Sequence, residues 1–279
     1  MSRIPSRAPY PVVVCVALAM AVVFGLAACG EESTQELTFE LNGKGEAVEL
    51  TAPENADSGE AEITFTNSSD RDGELQLIRV EGDHTAEEVV EGLESAMKGK
   101  PFPDFFFAGG GVSTTKPGES ITVTQVLEPG TYFATDTETK LDSSNVPATE
   151  VTGDQSDAEL ASDTTVEASE YSFTAEGLTA GENEIDFANI GAQPHHLIIA
   201  PLKGDATVAD VEKALKSENE APPIDEKGSQ STAVIEGGES QLVNFNLKPG
   251  RYALLCFISD RQGGPPHAFK GMVDEVEVD

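Results

Sequence analysis

The chain has 279 residues and carries 50 acidic side chains against 17 lysines and arginines, a formal charge of −33. A surface of that sign repels nucleic acid and anionic lipid headgroups, which excludes both as partners. The length exceeds what one small β-domain needs and is comfortable for two.

At the start of the chain, Arg3 and Arg7 stand without acidic neighbours, and an apolar run from Val12 to Ala28 stops abruptly at Cys29. This is the three-part layout of a secretory signal, too short and wrongly flanked for a stable membrane span. Leu26-Ala27-Ala28-Cys29 resembles the lipobox of bacterial lipoproteins, where cleavage before a cysteine leaves its sulfur to carry lipid. The resemblance implies a signal peptide over 1–28, lipidation at Cys29 and a polar tether over 29–34. It places the protein outside the cytoplasm, held to the cell membrane by a lipid anchor. Cleavage removes two arginines and no acids, taking the charge from −33 to −35. Cys15 leaves with the signal and Cys29 is lipidated, so Cys256 is the remaining thiol and no internal disulfide can form.

The chain then repeats itself. Phe65-Thr66-Asn67 recurs as Phe187-Ala188-Asn189, and Gly82-Asp83 as Gly204-Asp205, both 122 positions on. Gly118-Glu119-Ser120 recurs as Gly238-Glu239-Ser240, and Pro129-Gly130-Thr131-Tyr132 as Pro249-Gly250-Arg251-Tyr252, 120 positions on. Ordered landmarks with one two-residue slip indicate an internal duplication. Each copy reads as β. Glu184-Ile185-Asp186-Phe187 alternates, Leu197-Ile198-Ile199 is a buried run, and Val243, Phe245 and Leu247 alternate again, with Pro-Gly turns between. One helix is expected per copy. Thr85 and Glu88 form a capping box ahead of Val89, Val90, Leu93 and Met97, and Thr207 opens the counterpart with Val208, Val211, Ala214 and Leu215. Phe102 and Phe105-Phe106-Phe107 form an aromatic cluster, read as buried beneath the first helix, with a partner-facing patch as the alternative. The acidic, aperiodic stretch 151–163 reads as a linker between copies at 35–150 and 164–279, each a two-sheet sandwich.

Metal-capable side chains gather in the second copy. His195 and His196 follow Pro194, Cys256 ends the strand opened by Pro249-Gly250-Arg251-Tyr252, and His267 and Met272 precede the last strand. Soft and borderline ligands together favour copper over oxygen-seeking magnesium or calcium. On a strand His195 shares a face with Leu197 and Ile199, and His196 with Ile198. The first copy has Gly73, Leu75 and Leu77 at the former positions and Glu74 and Gln76 at the latter. The alternation turns His195 to the core and leaves His196 as a secondary candidate.

These residues resemble the cupredoxins, the blue-copper family of small β-sandwich electron carriers. Asn189 and Gly191 stand ahead of His195, Pro-Gly-x-Tyr leads to Cys256, and His267 and Met272 follow, a match spanning Val166 to Asp279. The resemblance implies an all-β chain of two tandem cupredoxin-like Greek-key sandwiches, each with one inserted short helix. It also implies one type 1 copper in the C-terminal copy, with His195, Cys256 and His267 equatorial and Met272 axial, exchanging single electrons with a redox protein partner. Ten residues, Phe257 to Pro266, separate Cys256 from His267, more than in the small carriers; Gly263-Gly264-Pro265-Pro266 is expected to turn the chain back. The first copy has Gly73 for His195 and Asp136 for Cys256, and is expected to bind no type 1 copper. His84, beside the helix cap, is expected at the surface. No nucleophile–base pair or phosphate loop stands out, so an enzyme is not expected. Two other uses of the same fold stay open: a copper-free binding or structural module, and a copper-capturing chaperone.

Overall fold

The computed structural model describes residues 34–279, apart from 46, 139, 218 and 219. The expected signal peptide, Cys29 and the tether as far as Ser33 lie outside the described residues. Among the described residues no helix is long and apolar enough to cross a membrane.

The first copy supplies β1 (Gln35–Lys44), β2 (Ala47–Thr51), β3 (Asn55–Asp57), β4 (Gly59–Asn67), β5 (Gly73–Val80), α1 (Ala86–Met97), β6 (Phe106–Thr115), β7 (Ser120–Leu127), β8 (Gly130–Thr135) and β9 (Ala148–Thr152). The second supplies β10 (Thr164–Ser169), β11 (Ser172–Glu176), β12 (Gly181–Asn189), β13 (Ile198–Pro201), α2 (Val208–Leu215), β14 (Gln230–Ser231), β15 (Ser240–Leu247), β16 (Gly250–Leu255) and β17 (Val273–Val278). Residues 153–163 form neither strand nor helix between β9 and β10.

One eight-stranded sheet, in the order β11-β10-β12-β15-β7-β4-β1-β2, runs through both copies. Each copy closes its sandwich with a sheet of its own, β3-β9-β8-β5-β6 in the first and β14-β13-β16-β17 in the second. The period-2 pattern sets the faces: Ala61, Ile63 and Phe65 of β4 turn inward, as do Ile185 and Phe187 of β12, and all are buried. In both copies the opening strand runs parallel to the same neighbour, Phe39 of β1 opposite Phe65 and Val166 of β10 opposite Phe187. This crossed strand order is the all-β, cupredoxin-like layout that the resemblance implied.

The copies join where β15 lies antiparallel to β7, with Gln241 opposite Gln125 and Leu242 opposite Thr124. Both glutamines are buried, and the Gln241 amide donates to that of Gln125. Gln241 Nε2 donates to Gln125 Oε1 at 2.8 Å and to Gly111 O at 2.7 Å, while Gln125 Nε2 donates to Gly109 O at 2.8 Å. A buried amide without such partners would be costly, so this pairing also sets the register of the join.

The Pro-Gly-x-Tyr segments do one job twice. The Tyr132 hydroxyl accepts from Glu128 N at 3.1 Å, and the Tyr252 hydroxyl accepts from Lys248 N and donates to Lys248 O, both at 2.9 Å. Gly130 and Gly250 take φ of 146° and 150°, which a side chain would resist. Such a corner ties a turn to its strand whether or not a metal is near, so the frame persists in a copy without ligands.

Both helices carry reciprocal capping boxes, Thr85 with Glu88 and Thr207 with Asp210. Val89 and Leu93 pack on Phe102, Phe105 and Phe106, so burial beneath α1 accounts for most of the aromatic cluster. Met97, expected on that apolar face, is 65% exposed at the end of α1. His84 is half-buried rather than at the surface, its ring stacked on Phe105 at 3.6 Å.

Candidate metal centre

Three segments of the second copy deliver three ligand atoms to one buried point. The first is the turn after β12. Asn189 Nδ2 donates to Gln193 O at 2.8 Å and to Ile235 O at 3.2 Å, and Asn189 Oδ1 accepts from Gly191 N at 3.1 Å. The Glu170 carboxylate accepts from the amides of Ala192 and Gln193. His195 then exchanges both backbone hydrogen bonds with Ile235, at 3.0 and 2.9 Å, as an isolated bridge ahead of β13. Its ring therefore points inward: His195, Leu197 and Ile199 are fully buried, while His196 and Ile198 are half-buried.

The second segment is the end of β16, where Cys256 is a free and fully buried thiol. The third is the returning loop. His267 N donates to Ile258 O at 2.8 Å and Ala268 N to Cys256 O at 2.7 Å, which pins a short 3-10 helix, His267–Lys270, against the strand end.

Cys256 Sγ lies 3.6 Å from His195 Nδ1 and 3.5 Å from His267 Nδ1, and the two ring nitrogens are 3.0 Å apart. The three ligand atoms lie within 4.8 Å of one another. Met272 is fully buried in the same apolar cluster as Cys256, and its amide donates to His267 O at 3.0 Å. His196 stands apart. Its Nε2 accepts from Phe257 N at 2.9 Å, so it fastens the residue after Cys256.

Burial keeps this cluster uncharged when no cation is present. It pushes the Cys256 thiol up to about 12 and the His195 ring down to about 4, with the nearby His267 adding to the latter. Burial also lowers His267, against the pull of Asp260. Asp260 Oδ1 lies 3.0 Å from His267 Nε2 and accepts from the Tyr171 hydroxyl at 3.0 Å, and its other oxygen accepts from Lys270 Nζ. Burial alone would raise Asp260, but these bonds outweigh it and hold the carboxyl below its usual range. An ionised carboxylate only accepts, so His267 carries its proton on Nε2 and aims the bare Nδ1 at the cluster. His195 Nε2 is buried with no hydrogen-bond partner.

The donor set fits copper. Two imidazole nitrogens and a thiol sulfur converge in a dry site, a thioether lies in the same cluster, and the three donors include no carboxylate oxygen of the kind magnesium or calcium needs. The supporting residues Asp260, Tyr171, Lys270 and Glu170 were not singled out from the sequence. One signal was available for Asp260, an acid inside the loop between two candidate ligands.

No family model matches the chain, and no curated protein matches it. Among solved structures it is similar over 41% of its length to auracyanin B, covering 86% of that chain at 26% identity with a TM-score of 0.29. Over 43% of its length it is similar to dithionite-reduced auracyanin from Roseiflexus castenholzii, covering 98% of that chain at 21% identity with a TM-score of 0.30. A copper nitrite reductase from Nitrosomonas europaea matches 88% of this chain and 94% of its own, at 14% identity and a TM-score of 0.26.

Proposed function

We propose that this protein is a one-electron carrier whose type 1 copper would be held by His195, Cys256 and His267, with the buried Met272 as the further candidate ligand. One observation carries the reading: a cysteine sulfur and two histidine Nδ1 atoms converge, all in fully buried residues. Copper bound there supplies one-electron chemistry, in a ligand set that suits both of its oxidation states.

The protein's part is to hold that set still and dry. His195 is fixed by its paired bonds to Ile235, and His267 by backbone bonds to Ile258 and by Asp260 at Nε2. Cys256 loses its thiol proton when a cation is taken up, because the ligand form is the thiolate. Ligands locked this way need little rearrangement as an electron passes, which favours a carrier over a chaperone. A chaperone needs a looser set with an open position. We read the molecule as a carrier rather than an enzyme, held outside the cytoplasm at the cell membrane by a lipid on Cys29 and meeting a redox protein there.

Titration with Cu(II), followed by visible absorbance, tests the reading with Cys256→Ser alongside. The expected result is an intense thiolate-to-copper band that saturates at one equivalent and is absent from the variant. Weak, colourless binding that the substitution leaves unchanged overturns it.

A further inference from the structure

The long loop between Cys256 and His267 is fastened to the other copy. Phe102 N donates to Arg261 O at 2.8 Å, and Gly264 N to Gly99 O at 2.9 Å. The Arg261 guanidinium donates to Glu236 Oε2 at 2.8 Å and to Phe106 O at 2.9 Å, and it lies 4.9 Å from the centre of the Phe107 ring. The same Glu236 oxygen accepts from Ala108 N at 3.1 Å, so one carboxylate links the arginine to the first copy. Gly263 has no room for a side chain: a Cβ there would stand 2.6 Å from Gly99 O, and its φ of +79° already disfavours one. Backbone meets backbone where the first copy closes over the loop.

The constraint reaches the metal ligands in two directions. Arg261 N donates to Gln193 Oε1 at 2.8 Å, in the turn that presents His195. Its preceding neighbour is Asp260, the carboxylate on His267 Nε2. A loop of this length, free at its middle, would sample many conformations and release both the carboxylate and the ring.

We propose that the metal-free copy is a working part of the metal centre: segment 99–107, acting through Arg261, holds the ligand loop so that Asp260 stays on His267 and Cys256 stays closed. Arg261 is thus a positioning residue. The spectral consequences rest on the copper reading above, whereas the closing of the loop stands without a metal.

The test uses the full chain with Arg261→Ala, Arg261→Lys and Asp260→Asn. Without metal, iodoacetamide labelling of Cys256, followed on its own peptide by mass spectrometry, is expected to quicken roughly tenfold or more in Arg261→Ala. In Arg261→Lys the gain is smaller. With copper bound, the reduction potential is expected to rise in Asp260→Asn, because a negative charge leaves the ligand's side. It should rise in Arg261→Ala too, because the same carboxylate comes loose. Simple loss of the arginine's positive charge would move the potential the other way. Unchanged labelling, with a potential that is unchanged or lower and only a reduced melting temperature, would mean that Arg261 merely joins the copies and would overturn the proposal. If wild-type protein shows no thiolate-to-copper band, the copper reading falls while the labelling rates still decide the loop. Should Arg261→Ala fail to fold, Glu236→Gln carries the same labelling test with a smaller expected gain.

Discussion

The two copies share a frame and differ in what fills one place within it. In the first copy Leu41 of β1 pairs with Asn67, and in the second Ala168 of β10 pairs with Asn189, the equivalent asparagine. Where the second copy places the His195 ring, the first has Gly73, and a Cβ on Gly73 would stand 2.5 Å from Leu41 Cδ2. Leucine with glycine in one copy and alanine with histidine in the other occupy the same space by different means, as a close-packed interior requires. The Cys256 position is Asp136 in the first copy, where the carboxylate accepts from Arg71 at 2.8 Å and from Glu74 N at 3.0 Å. Beside it, Glu74 and His196 are equivalents with one task. Glu74 accepts from Thr137 Oγ1 at 2.8 Å and His196 from Phe257 N at 2.9 Å, so each fastens the residue after the ligand position. A few side chains on a shared frame thus separate a closed core from a candidate metal centre.

The volume exchange gives the largest expected effects. Leu41→Ala should empty the place beside Gly73 and cost about 2–5 kcal/mol in chemical denaturation. Adding Gly73→His should recover part of that loss; a double variant no better than the single would break the comparison. In the other direction, Ala168→Leu should cost about 1–3 kcal/mol by overpacking and abolish the copper band. Pairing it with His195→Gly should restore stability without restoring metal binding.

The frame itself should respond alike in both copies. Thr85→Ala and Thr207→Ala each remove a capping box and should each cost about 1 kcal/mol in thermal melts. Markedly unequal losses would show that the frames differ more than their geometry suggests.

One further effect depends on pH. Burial raises Glu74 to about 7 in the folded protein, against 4.5 for the ordinary group. The folded state therefore holds this proton between those values while the unfolded state has lost it. Stability should fall as pH rises through that window. Glu74→Gln should be the more stable form at pH 8, with the difference vanishing below about pH 4. A gain that is the same at both pH values would assign the effect to packing instead.

Much of this was legible in the sequence, for identifiable reasons. The capping boxes and the Pro-Gly-x-Tyr corners are local, and local chemistry determines them. The inward turn of His195 followed from alternation with Leu197 and Ile199, and the structure places Cys256 and His267 beside it. The shared sheet was not legible, because edge pairing between β7 and β15 uses backbone groups that every sequence carries. Its side-chain trace was two glutamines, Gln125 and Gln241, set among apolar strand positions. The docking of Arg261 on segment 99–107 joins residues more than 150 positions apart, and no periodicity reports such a contact. Met97 completed the apolar pattern of α1 yet lies exposed as the last residue of the helix, although Ala96 just before it is buried.

The most direct test of the central claim is copper counted per chain, with its visible spectrum, in wild type and in His195→Gly, which installs the first copy's own residue. The account predicts one copper per chain with a thiolate-to-copper band in wild type. It predicts no band in a variant that remains folded. A band that survives His195→Gly, or a second equivalent bound by the first copy with the same spectrum, would contradict it.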